Sequence, residues 1–153
     1  MILPPSLSQR TRRRWLHALA SLCLLVSGPA LAEIAIVVNP ANPIKDAEAV
    51  VLKRIFNGTM REFPESGITV SLLDQPMDTD IHAKFYRQMF NVTPKKMKRR
   101  RATYVFSGQG AAPSVLKGDE EILNRVATEV SSIGYMDASK VDGSVRVIWT
   151  LKE

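Results

Sequence analysis

The residues Asp78-Thr79-Asp80-Ile81-His82 concentrate what chemistry this sequence offers. A helix starting here would leave its first backbone N–H groups without intrahelical partners, and such an N-terminus favours an anion. Thr79 adds a hydroxyl donor and His82 a nearby imidazole. Thr79, Asp80, Ile81 and His82 are therefore the candidate ligand-binding set. Asp78 and Asp80 could carry a cation, but carboxylates at a helix start are favoured by the helix dipole alone, so no metal is expected.

Other constellations argue against catalysis. His82 is the only histidine after residue 32, which excludes a histidine-cluster metal site or a paired-histidine mechanism. There is no Gly-x-Ser-x-Gly elbow of the serine-hydrolase kind. Gly108-Gln109-Gly110 reads as a tight turn, because Pro113 replaces the third glycine of a nucleotide loop and no Gly-Lys-Ser/Thr follows. No catalytic residue and no cofactor is expected, and the chain reads as a non-enzyme.

The strongest charge cluster is Lys95-Lys96-Met97-Lys98-Arg99-Arg100-Arg101. On a helix these side chains point all round, giving a solvated face of positive potential. Such a face could steer small anions, or attach the protein to an anionic membrane surface or an acidic partner.

The N-terminus reads as an export signal. Arg10, Arg12, Arg13 and Arg14 precede an apolar run from Leu16 to Val26, too short to span a bilayer, and Ala30-Leu31-Ala32 suits a signal peptidase. Residues 1–32 are expected to be a removable leader, with the working chain starting at Glu33. Thr11-Arg12-Arg13-Arg14-Trp15-Leu16 also resembles a twin-arginine signal. Cys23 lacks the small residue before it that a lipoprotein signal needs.

Removing the leader changes the charge. Of 21 Lys and Arg, four lie in the leader, leaving 17 against 15 acidic residues, a net of +2 rather than +6. The basic balance then says little about nucleic acid, and export removes that partner. The only cysteine goes with the leader, so no disulfide or thiolate site is left. The 153 residues less 32 leave 121, enough for one domain and its core.

These site residues need a scaffold, and the apolar pattern supplies one. Ile34–Val38 is a short apolar run, as expected of a strand buried on both faces. Val51, Leu52, Ile55 and Phe56 make one stripe of a helix over 46–56, with Asp46 its cap and Asn57-Gly58 its stop. Ile68–Leu73 is a second strand. Ile81, Phe85 and Met89 mark a helix that Asp78 or Thr79 could cap, and Thr93-Pro94 opens another. Ile122, Leu123, Val126, Ala127 and Val130 mark the next. Ile133–Met136 and Val145–Trp149 close the chain as strands joined by a turn at Asp142-Gly143. Alternating strands and helices predict a single α/β domain over 33–153, its central sheet covered by helices.

Several motifs in order carry a family resemblance. They are Val37-Val38-Asn39-Pro40 with Asn42-Pro43-Ile44, then Leu52 and Ile55-Phe56-Asn57-Gly58, then Phe85-Tyr86. Phe106-Ser107-Gly108-Gln109-Gly110 with Pro113 follows, and Ile133-Gly134-Tyr135 ends the series. Over almost all of residues 33–153 the chain resembles the short phosphate-transporter substrate-binding-like proteins. The resemblance implies a mixed central sheet flanked by helices, like one lobe of a type 2 periplasmic binding protein. It also implies a periplasmic location, a small anion such as phosphate as ligand, and a membrane transporter or sensor as partner. A ligand-free accessory module that binds another protein is the alternative. The family's anion loop has Ser-x-x-Arg where this chain has Thr79 and His82, and Arg101 stands near a position commonly tryptophan.

Overall fold

The computed structural model describes residues 33–45 and 47–152. The expected leader and Asp46, the expected helix cap, lie outside the described residues. Strand β1 (Ile34–Val38) is buried along its whole length. Helix α1 (Ala49–Phe56) buries Leu52, Ile55 and Phe56 and ends at Asn57, with Gly58 in the left-handed region at φ 81°. Strand β2 covers Ser71–Asp74.

Strand β2 starts later than its apolar run predicts. Residues 62–69 instead turn back on themselves, with Glu62 bridged to Thr69 and the Phe63 N–H donating to the Ile68 carbonyl. Helix α2 (Asp80–Phe90) buries Phe85, Tyr86 and Met89 and stops at Asn91, held at φ 54°. Helix α3 (Pro94–Phe106) begins on the Thr93 cap with proline at its first position. A strand that periodicity does not reveal, β3 (Ser114–Val115), precedes helix α4 (Asp119–Thr128). Strands β4 (Ser132–Asp137) and β5 (Arg146–Leu151) complete the chain.

The five strands form one mixed sheet in the order β3-β2-β4-β1-β5. Strand β2 runs parallel to β3 and β4, while β1 is antiparallel to both β4 and β5. The two C-terminal strands therefore do not pair as a hairpin. The wholly apolar β1 sits between them, where both of its edges and both of its faces are covered. Its alternating side chains split the core. Ile34, Ile36 and Val38 pack with α1, α2 and Met97, while Ala35 and Val37 pack with Ile122 and Val126 of α4. The result is a single α/β domain. Among the described residues no helix is long and apolar enough to cross a membrane.

Candidate functional site

Strand β2 ends on an acid, and that acid organises the site. Asp74 is 3 % exposed, and each of its carboxylate oxygens accepts two hydrogen bonds. The Tyr135 hydroxyl (2.6 Å) and the Gln75 N–H (2.9 Å) donate to Oδ1. The Tyr86 hydroxyl (2.9 Å) and a terminal nitrogen of Arg101 (2.6 Å) donate to Oδ2. Arg101 also donates Nε and its other terminal nitrogen to the Phe56 carbonyl, at 3.1 and 2.6 Å, and touches the Tyr86 hydroxyl.

The ion pair is therefore buried with its hydrogen-bonding capacity largely met, the condition under which such a pair persists in a protein interior. Burial, reinforced by the Asp74 charge, pushes both Tyr86 and Tyr135 well above the ordinary phenol pKa, so both remain donors. Phe85 stacks flat on Tyr135 at 3.8 Å between ring centres and holds that ring in place.

Beside this network lies a cleft of about 440 Å³. Its floor holds Asp74, Gln75, His82 and Arg101. Its walls are largely apolar: Met77, Pro94, Met97, Ala102, Val105, Phe106, Pro113 and Val115, with Lys98 on the α3 side. Such a space suits a solute with an apolar body, oriented by few polar groups.

The four residues expected to bind an anion do not line one depression. The Thr79 hydroxyl donates to the Pro76 carbonyl at 2.7 Å and accepts from the His82 N–H at 3.4 Å, so it caps α2. Asp80 and Ile81 line a separate hollow with Glu33, Ile34, Lys84 and Asp137. His82 alone of the four lines the cleft. Its Nε2 lies 3.7 Å from Asp74 Oδ1, and its Nδ1 is buried without a hydrogen-bond partner. Burial lowers its pKa below the ordinary 6.5, outweighing the opposing attraction of Asp74, with Arg101 adding to the fall. Near neutral pH the imidazole is uncharged.

The basic run also divides. Lys95, Lys96, Lys98, Arg99 and Arg100 face solvent as a charged helix face should, but Met97 and Arg101 are buried. Arg101 is thus a correction to the reading of the run as a solvated face. Its i, i+4 spacing from the apolar Met97 was the available signal. Asp74 and Tyr135, both central to the network, carry no local signal beyond an acid closing an apolar strand and a tyrosine inside another.

A pH dependence follows for His82, the only histidine in residues 33–153. Its folded pKa is depressed, so the unfolded chain binds more protons below 6.5 and stability falls as pH drops through that value. Thermal unfolding should show a melting temperature that declines from pH 7.5 to pH 5.5 in the native chain but stays flatter in His82→Gln. The carboxylates held low by hydrogen bonds, Glu129 and Asp137, lose their contributions only at pH below their ordinary 4.5 and 3.8. An identical slope in the variant would remove His82 as its source.

No protein-family model and no curated protein matches the sequence. Solved structures do match. The chain is similar to an ABC-type phosphate transport receptor from Vibrio cholerae, at 19% identity and a TM-score of 0.60, covering 77% of this chain and 47% of that one. A candidate phosphate ABC transporter substrate-binding protein from Clostridium perfringens, solved with bound phosphate, matches at 19% identity and a TM-score of 0.61, over 77% and 45% of the two chains. PstS from Borrelia burgdorferi matches at 16% identity and a TM-score of 0.59, over 76% and 47%. The chain spans about half the length of these proteins, so its likeness is to a single lobe of the substrate-binding fold.

Proposed function

We propose that this chain is an exported, non-enzymatic solute-binding-like domain. Its cleft between α3 and the segment joining β2 to α2 takes a small anion with an apolar body, in the service of a membrane transporter or sensor. The observation that carries the reading is the cleft itself: apolar walls over a polar floor of Gln75, His82 and the Asp74–Arg101 pair, with the exposed Lys98 as the cation outside that pair. Phosphate is the solute named for the neighbours, and it is the first to test here. The apolar walls favour an anion that also buries carbon, because a bare oxyanion would leave them wet. Export rests on residues 1–32 as a leader, and the periplasm is the location proposed.

Of the anion-loop residues, His82 belongs to this proposed site. Thr79, Asp80 and Ile81 act through the α2 N-terminus rather than as direct ligands. Calorimetric titration with phosphate, sulfate, benzoate and phenyl phosphate tests the proposal. Phenyl phosphate should bind at least about tenfold more tightly than inorganic phosphate, a difference of roughly 1.4 kcal/mol. Ala102→Phe, which fills the cleft from α3, should abolish that preference. One observation favours a second reading, an accessory module that binds a protein. The Asp74 and Arg101 groups at the cleft floor already satisfy each other and the tyrosines. Silence across the whole titration series would select that reading.

A further inference from the structure

Four of the large apolar side chains exposed among the described residues gather around one cleft. Phe106 is 90% exposed, Val115 61%, Met77 46% and Val105 38%. The helix that forms one wall, α3, carries no acidic residue and exposes Lys95, Lys96, Lys98, Arg99 and Arg100 along its first half. At about 100° and 1.5 Å per residue, Phe106 ends a line along the helix that also carries Lys95 and Arg99, about 16 and 10 Å before it, with Lys98 about 80° round. An exposed aromatic at the end of a cationic helix face is unfavourable in water and favourable at one kind of boundary. There, anionic headgroups meet the charges and acyl chains take the ring.

We propose that α3 and the mouth of the cleft form a docking face for an anionic phospholipid membrane. Charge selects this occupant. A second copy of the chain would set one cationic helix against another, and like charges brought together repel. The membrane face and the cleft share Lys98 and Phe106, but docking does not depend on any solute being bound. It would hold the domain at the surface where a transporter or sensor resides.

Vesicle co-sedimentation of the protein purified from the periplasm of an expressing bacterium provides the test. One set of vesicles contains equal parts phosphatidylglycerol and phosphatidylethanolamine, the other phosphatidylcholine alone. At about 0.1 M salt the protein should pellet with the anionic vesicles only, and about 0.5 M salt should release it, since screening shortens the electrostatic reach. Lys95→Glu with Arg99→Glu should weaken binding by about tenfold or more, the order expected for reversing two charges near such a surface. Phe106→Ser should weaken it several-fold, and Trp fluorescence should confirm that both variants unfold at the native temperature. Equal binding to both vesicle types, or no effect of either variant, would overturn the proposal. Full binding by Phe106→Ser together with equal binding to polyglutamate would also overturn it, pointing to an acidic protein partner.

Discussion

Replacing Arg101 by methionine is expected to destabilise the domain by about 3–5 kcal/mol, the usual cost of removing one partner from a buried ion pair. The guanidinium neutralises Asp74 at 2.6 Å and also donates to the Phe56 carbonyl, so its loss leaves a buried charge and a buried carbonyl short of donors. The double variant Asp74→Asn, Arg101→Met should recover part of that loss, because no charge then stays buried alone. Urea unfolding of the three proteins measures both effects. A cost below about 1 kcal/mol for Arg101→Met would mean that the pair is solvated and does not organise the site.

Phe56→Ala should cost a similar amount, about 3–5 kcal/mol, for a different reason. Phe56 is fully buried at the end of α1 and meets Phe85 edge-on at 4.8 Å and Tyr135 at 6.0 Å. Truncation leaves a cavity beside the two rings that hold the Asp74 network, while the backbone carbonyl that Arg101 uses remains. Denaturant unfolding should therefore show a lower midpoint, and a melt of the variant in chelator should match its melt without it. A loss below about 1 kcal/mol would show that the space collapses or that the ring packs elsewhere.

Much of this fold was legible from local pattern. The run Ile34–Val38 marks a doubly buried strand, and Thr93-Pro94 and the pair Asp78-Thr79 mark two helix starts, of which Thr79 is the cap, because these signals lie within a few residues of what they control. What local pattern could not supply was long-range pairing. Strand β1 enters between β4 and β5, about a hundred residues further along the chain, and nothing near Val145–Trp149 signals that its neighbour comes from the other end.

The site shows the same division. Arg101 reads as one more cation in a basic run until Asp74, 27 residues earlier, is brought beneath it. Thr79 and His82 have the spacing of a helix cap, and the Thr79 hydroxyl donates to the Pro76 carbonyl and accepts from the His82 N–H.

The measurement that bears most directly on the solute-binding account is amide chemical-shift mapping of the protein saturated with phenyl phosphate. Perturbations should cluster on Gln75, His82, Lys98, Ala102 and Val115 around the cleft and saturate together along one binding curve. Perturbations confined to the hollow of Asp80, Ile81 and Lys84, or to Ala47 with Val147–Trp149, would contradict it.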